Sequence, residues 1–171
     1  MASTHGRRQL RLRGHDYSQP GAYFITICTI NGADLLGRVV GTEMQLNEFG
    51  EVAARNWCWL GSHFPVITLD EWVIMPTHLH GIVVLTSAEP SKETRVDSVA
   101  TSARRKPLGE LIGAFKTRST KEINELRRTA GARFWQRNYW DRVIQDEAEL
   151  LRIRGYIRQN PANYRPRTYA V

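Results

Sequence analysis

The chain has 171 residues, of which 42% are hydrophobic and 24% are charged, and this composition favours a single globular domain spanning residues 1–171. Its formal net charge of +7 favours a phosphate-rich partner, and nucleic acid is a better candidate than an anionic membrane because no broad basic amphipathic helix is evident. A basic protein without such a partner is the alternative. No apolar run is long enough to span a membrane, no signal-peptide pattern is present, and two cysteines lack metal-type or disulfide spacing, so we expect a cytoplasmic protein.

Four segments of the first half are rich in β-branched and aromatic residues, a composition typical of strands. They span residues 22–30, 37–46, 66–76 and 78–86. Asn47 stands where it can cap a helix over residues 48–64, whose apolar residues recur at helical spacing. Only Thr77 follows Pro76 before the fourth strand begins, so the join is either a tight hairpin or a bent continuation of the third strand.

The second half of the chain is predicted to be helical, apart from a linker and an aromatic segment. Residues 87–107 are small, polar and charged without periodicity, which predicts a flexible linker. Helical spacing of apolar residues predicts one helix over 108–128, ended by Gly131, and another over 146–160. The aromatic segment 134–144 is either a strand or an ordered loop. Antiparallel strands with helices on one face predict an α+β sandwich.

Two histidines, His78 and His80, stand two residues apart at the start of the fourth predicted strand. Side chains at i and i+2 project from the same face of a strand, so we expect the two imidazoles side by side. Such a pair also arises by chance among five histidines, so packing and metal binding are both open. Two imidazoles do not complete a metal site, because catalytic zinc takes three protein ligands and hard cations prefer oxygen.

The last predicted helix offers both a further ligand and a nucleophile. Tyr156 and Asn160 are four residues apart and therefore share a helical face. The amide oxygen of Asn160 suits a divalent cation, and the phenol of Tyr156 can form a covalent intermediate if a metal polarises the phosphate that it attacks. The alternatives are a core tyrosine on an amphipathic helix and a C-terminal helix cap before proline.

Tyr139, in the aromatic segment, is a rival nucleophile. Trp135 and Trp140 lie close to it in the sequence, and these aromatic rings could either stack on bases or form a cluster under the long helix. Motifs of other enzyme classes are missing from the sequence: it has no P-loop, no nucleophile elbow and no dinucleotide-type glycine pattern.

Five segments together resemble the REP-associated tyrosine transposases, which are single-tyrosine members of the HUH endonuclease superfamily. The resemblance covers residues 7–161 apart from the 87–107 linker. In chain order it rests on RLRGHDYSQPGAYFITICT, MPTHLHGIVVL, LGELIGAFKT, FWQRNYWDRVIQDEAEL and GYIRQNP.

This resemblance implies a ferredoxin-like (RRM-like) antiparallel sheet with helices packed on it, the histidine pair on a central strand and the tyrosine on the C-terminal helix. It implies metal-dependent cleavage and strand transfer of single-stranded DNA next to a hairpin, through a 5′-phosphotyrosine link and a free 3′-OH. It assigns the nucleophile to Tyr156, and the binding of Mg²⁺ or Mn²⁺ to His78, His80 and Asn160. Tyr139 falls in a segment that the family shares but does not use as its nucleophile.

The implied partner is single-stranded DNA that carries a hairpin, such as a REP-like repeat, bound by a monomer or a homodimer. Its backbone requires positive charge, which we expect on a basic arm at residues 1–14 and on two helices. The predicted DNA-binding residues are Arg7, Arg8, Arg11, Arg13, Lys116, Arg118 and Arg158. Two other functions stay open: a non-catalytic nucleic-acid-binding module of the same fold, and a zinc hydrolase that uses water as its nucleophile.

Overall fold

The computed structural model describes residues 15–87 and 107–165. The strands are β1 (Gly21–Cys28), β2 (Gly37–Val40), β3 (Glu43–Leu46), β4 (Ile67–Met75), β5 (His78–Leu85) and β6 (Trp140–Ile144). The helices are α1 (Glu48–His63), α2 (Leu108–Leu126) and α3 (Glu147–Gln159), and a 3₁₀ turn spans Ile30–Gly32. The predicted basic arm, with its four arginines, and residues 88–106 of the predicted linker lie outside the described residues.

The main sheet has four strands in the order β4-β5-β1-β6, and every neighbouring pair is antiparallel. Its strands and the first two helices follow the chain order β1-α1-β4-β5-α2-β6, which is a ferredoxin-like arrangement. The β2–β3 hairpin is inserted before α1, and α3 follows the last strand. The predicted α+β fold is therefore confirmed, with the histidine strand β5 at a central position of the sheet.

Local sequence signals account for two of the boundaries next to the sheet. The side-chain oxygen of Asn47 accepts hydrogen bonds from the backbone N–H groups of Phe49 and Gly50, both at 3.0 Å, and caps α1 as predicted. Met75 pairs directly with His78, so Pro76 and Thr77 form the turn of a tight hairpin rather than a bent continuation. This hairpin brings the histidines to the start of a central strand.

Two predicted boundaries were wrong. The single strand predicted over 37–46 is a hairpin of two strands, because Gly41 adopts a left-handed conformation (φ +62°) that reverses the chain. Helix α2 ends at Leu126 rather than at residue 128, since Arg128 is already left-handed with φ 53°. The aromatic segment, for which a strand and an ordered loop were both open, contains one strand, Trp140–Ile144.

The two faces of the sheet bury different helices. Alternate side chains of β1, including Tyr23, Ile25 and Ile27, belong to the main core beneath α1 and α2. On the opposite face, Ile82 packs with Ile153 and Ile157 of α3. The prediction of all helices on one face was therefore wrong for α3, which covers the face that carries the histidines. In the described part of the chain no helix is both long and apolar enough to cross a membrane.

Candidate active site

The two histidines project side by side from the α3 face of β5, with ring centroids 4.4 Å apart. Each imidazole shares a 2.8 Å hydrogen bond through Nδ1 with a threonine hydroxyl: His78 with Thr77, and His80 with Thr26 on the neighbouring strand. These bonds fix the orientation of both rings. They leave Nε2 as the ring atom of each histidine that is available to a metal or a substrate.

Both imidazoles are neutral at physiological pH because they are poorly solvated. Burial lowers the pKa of His78 from 6.5 to about 4. Burial, with a smaller contribution from the neighbouring His78, lowers the pKa of His80 to about 3. A neutral imidazole has an acceptor lone pair, and this is the form that ligates metals. The histidine pair is therefore in the protonation state that a metal site requires.

Tyr156 reaches the same place from α3. Its hydroxyl lies 3.3 Å from Nε2 of His80, within hydrogen-bonding distance, while 51% of the residue stays exposed. The ring of Phe24 stacks on His80 at 5.2 Å and meets Tyr156 edge-on at 6.1 Å. The structure thus brings together two residues that are 76 positions apart in the sequence, and leaves the phenol open to a ligand.

Asn160 follows Tyr156 by one helical turn and forms the C-terminal end of α3. Within the described residues its side-chain amide makes no hydrogen bond. The described residues contain no cluster of three His, Cys, Asp or Glu that could hold a metal. A metal at the histidine pair would accordingly need oxygen from an amide such as that of Asn160, from a bound phosphate or from water.

Two ion pairs attach α3 to strand β4. Arg154 donates to Oδ1 of Asp70 at 3.1 Å and to Oδ2 at 2.7 Å, and Arg158 donates to Glu71. The strand has a bulge between Leu69 and Trp72, which presents these adjacent acids to the helix. Burial raises the pKa of the Asp70 carboxyl, but hydrogen bonds from Arg154 and the backbone N–H of Glu71 outweigh burial and hold the pKa below its usual value. Sequence reasoning missed these anchors, although two acids inside an apolar strand were a visible signal.

The described cations that were predicted to bind DNA are all engaged by other protein groups. Lys116 donates its ammonium to the backbone carbonyls of residues 136–138, and Arg118 pairs with Glu122 at 3.4 Å. Both lie on α2, behind the sheet face that carries the histidines. Arg158 is on the tyrosine helix but pairs with Glu71.

The three aromatic residues around the rival nucleophile have different environments. Tyr139 is 9% exposed and Trp135 is 2% exposed, and both belong to the main core on the α2 side. Trp140 is 46% exposed and pairs with Thr26, which pairs in turn with His80 on the other side. Residues directly opposite each other share a sheet face, so Trp140 lies on the face of the histidine pair. The predicted cluster under the long helix is therefore confirmed for Tyr139 and Trp135, whereas stacking of a base on the exposed Trp140 stays a prediction.

A Haemophilus influenzae protein described only as uncharacterized is 36% identical to this chain over 163 residues, which are 94% of this chain and 91% of that protein. The two proteins belong to one family. No family model matches the chain. Among solved structures, a REP-associated tyrosine transposase bound to a REP hairpin superposes with a TM-score of 0.59 over 88% of this chain and 72% of that chain, at 17% identity. The family therefore has the fold of that transposase.

Proposed function

We propose that this protein is a divalent-metal-dependent endonuclease and strand transferase, a transposase, that acts on single-stranded DNA at hairpin-bearing repeats. The observation that carries the proposal is the 3.3 Å approach of the Tyr156 hydroxyl to Nε2 of His80, beside a second neutral histidine. A nucleophile, two metal-ligating nitrogens and solvent access then coincide on one sheet face. The shared fold with a transposase and the net charge of +7 agree with this assignment.

In the proposed reaction the phenol oxygen of Tyr156 attacks a DNA phosphorus atom. An oxygen–phosphorus bond forms, the bond from phosphorus to the 3′ oxygen breaks, and the DNA strand on the 3′ side stays attached through a 5′-phosphotyrosine. The phenol proton is released to water and the departing 3′ oxygen takes up a proton. Because the new ester keeps the energy of the broken one, the 3′-OH can reverse the attack and join DNA again.

The proposed metal ligands are Nε2 of His78, Nε2 of His80 and the amide oxygen of Asn160. A divalent ion there would withdraw charge from the phosphate and stabilise the leaving oxygen. Of Mg²⁺ and Mn²⁺, the two imidazoles favour Mn²⁺, which accepts nitrogen ligands more readily. The threonine hydroxyls on both Nδ1 atoms hold these nitrogens in place before any ion binds.

The test is the formation of a covalent protein–DNA adduct with a labelled single strand that carries a hairpin, in the presence of Mn²⁺. We expect the adduct with the wild-type protein, none with Tyr156→Phe, and close to wild-type yield with Tyr139→Phe, whose ring stays in the core. An adduct that persists in Tyr156→Phe would exclude Tyr156 as the nucleophile. Loss only in a folded Tyr139→Phe would assign the reaction to Tyr139.

The same assay separates the alternatives. A non-catalytic binding module of this fold would bind the DNA without forming an adduct under any metal. A zinc hydrolase would cut the strand and leave no covalent product. The hydrolase has less support, because no third histidine, cysteine or carboxylate joins the pair in the described part of the chain.

A further inference from the structure

Four exposed cations lie at the end of α2 and in the segment that follows it. They are Lys121, Arg128, Arg133 and Arg137. Their side chains form no ion pair with any carboxylate in residues 15–87 and 107–165. The arginines of α1, β6 and α3 differ from them, because each has a carboxylate partner: Arg55 with Glu122, Arg142 and Arg152 with Glu149, Arg154 with Asp70, and Arg158 with Glu71. Among the described residues, four cations without a carboxylate partner therefore lie together on α2 and in the segment that follows it.

These four cations line one cleft of about 860 Å³ between α2 and residues 128–137. Glu125 is the one carboxylate among the residues that line it, whereas Thr117 and Thr120 add hydroxyl donors. Half-buried and exposed hydrogen bonds fix the two walls of the cleft relative to each other: Lys116 donates to carbonyls of residues 136 and 137, and the amide of Asn124 donates to the carbonyl of Ala132 at 2.8 Å. The walls of the cleft are largely apolar, and its charged groups are predominantly cations.

The cleft adjoins the candidate active site through Gln136. This residue lines the cleft and also a smaller cavity of about 280 Å³ that includes Thr77 and His78. Its backbone N–H donates to the carbonyl of Cys28 at 2.9 Å, and Cys28 pairs with His78 across the sheet. The cleft and the cavity beside His78 therefore meet at Gln136.

We propose that this cleft binds the backbone phosphates of an unpaired DNA segment that continues from the cleaved phosphate. The inference rests on the proposed function and adds the path of the strand to it. Volumes of about 300–1,000 Å³ are typical of sites that enclose small ligands, so the cleft can take nucleotides of a single strand but cannot enclose a duplex. Cations and hydroxyls on its walls match the phosphates. Acidic protein segments would also be attracted, but DNA carries one negative charge per nucleotide and would therefore compete more strongly for the cleft.

The test compares two double variants, each of which loses two positive charges. Arg133→Gln/Arg137→Gln changes the cleft, and Arg38→Gln/Arg55→Gln changes exposed arginines of β2 and α1. Both are made in Tyr156→Phe with EDTA present, so that binding is measured without cleavage. The probe is a fluorescein-labelled DNA hairpin with an unpaired flank, followed by anisotropy at several salt concentrations. Thermal unfolding monitored by circular dichroism verifies that both doubles are folded.

We expect the cleft double to bind the flanked hairpin about ten-fold or more weakly at 0.1 M salt, with a salt slope smaller by about 1.4, the value for two single-strand phosphate contacts. The control double should stay within about two-fold of the parent. A hairpin without the flank should bind the cleft double and the parent equally. The proposal for the cleft would be overturned if both double variants lost the same affinity for the flanked hairpin, or if the cleft variant lost the same affinity for both probes. If the parent binds neither probe, the proposed function fails as well.

Discussion

At His80 a metal ion and the hydroxyl of Tyr156 would compete for the same ring nitrogen, Nε2. Its Nδ1 is engaged by Thr26, and its Nε2 lies 3.3 Å from the hydroxyl of Tyr156. A metal ion bound at Nε2 would occupy the lone pair of this nitrogen, which could then neither accept a hydrogen bond from the phenol nor carry a proton to donate to it. Metal binding and the Tyr156–His80 hydrogen bond are accordingly mutually exclusive, and metal binding would release the phenol towards the substrate.

This competition makes a prediction about metal affinity. Tyr156→Phe should bind Mn²⁺ as tightly as the wild-type protein or up to about ten-fold more tightly, since a hydrogen bond of about 0.5–1.5 kcal/mol no longer has to be broken. His80→Ala should lose the site. Isothermal titration with Mn²⁺ measures both. Weaker binding in Tyr156→Phe would instead place the phenol among the ligands.

The burial of the two histidines predicts how stability depends on pH. Their pKa values of about 4 and about 3 lie below the ordinary value of 6.5, so the unfolded chain binds more protons between these limits. In metal-free protein the free energy of unfolding should therefore fall as the pH drops from 6.5 towards 4, on the order of 1 kcal/mol per pH unit for each histidine. Urea unfolding measures it. His78→Gln/His80→Gln should lose most of this slope, and an unchanged slope would contradict the assignment.

The exposed ring of Trp140 predicts a contact with an unpaired base on the histidine face. Stacking of a base on an aromatic side chain contributes about 1–3 kcal/mol, so Trp140→Ala should weaken single-strand binding by about five-fold to a hundred-fold. Trp140→Phe should retain most of the affinity. Leu151→Ala, which truncates an exposed apolar residue of α3, serves as the control. Equal affinity of Trp140→Ala and the control would remove Trp140 from the DNA path.

At the scale of elements, α3 determines whether the site exists. Ile157 is 1% exposed and packs with Ile82 directly beside the tyrosine. Ile157→Ala should lower the free energy of unfolding by about 2–5 kcal/mol, and Ile157→Val by about 0.5–1.5 kcal/mol. Because the first change loosens the helix on the sheet, adduct formation should fall in the alanine variant even where the protein is folded. Chemical denaturation and adduct yield measure the two effects, and full adduct yield in Ile157→Ala would show that this packing does not position Tyr156.

The structural features that the sequence predicted correctly at this scale are those set by residues close together in the chain. Asn47 caps α1 through the next three residues, and the spacing of His78 and His80 places both on one face of any strand. The face of the sheet that α3 covers was not predictable. The helical spacing of Ile153 and Ile157 indicates that both side chains are buried, but it does not indicate which part of the protein they pack against. The turn at Gly41 was missed because apolar residues continue on both sides of it.

At the scale of the whole molecule, the net charge of +7 indicates a class of partner but not the surface where that partner would bind. Lys116, Arg118 and Arg158 were plausible cations in the sequence, yet their partners come from distant segments or from the next helical turn. The cations without partners could be recognised only after those pairs were known. The arm at residues 1–14 lies outside the described residues, so its four arginines remain a prediction.

The central claim is that Tyr156 attacks DNA, and the chain allows a direct measurement of the attachment site. Trypsin cleaves after arginine, so Tyr156 falls in the peptide 155–158 and Tyr139 in the peptide 138–142. After reaction of the wild-type protein with a flanked DNA hairpin and Mn²⁺, nuclease and trypsin digestion with mass spectrometry should locate a nucleotide-phosphate mass on peptide 155–158. The same mass on peptide 138–142, or cleaved DNA with no modified peptide, would contradict the account.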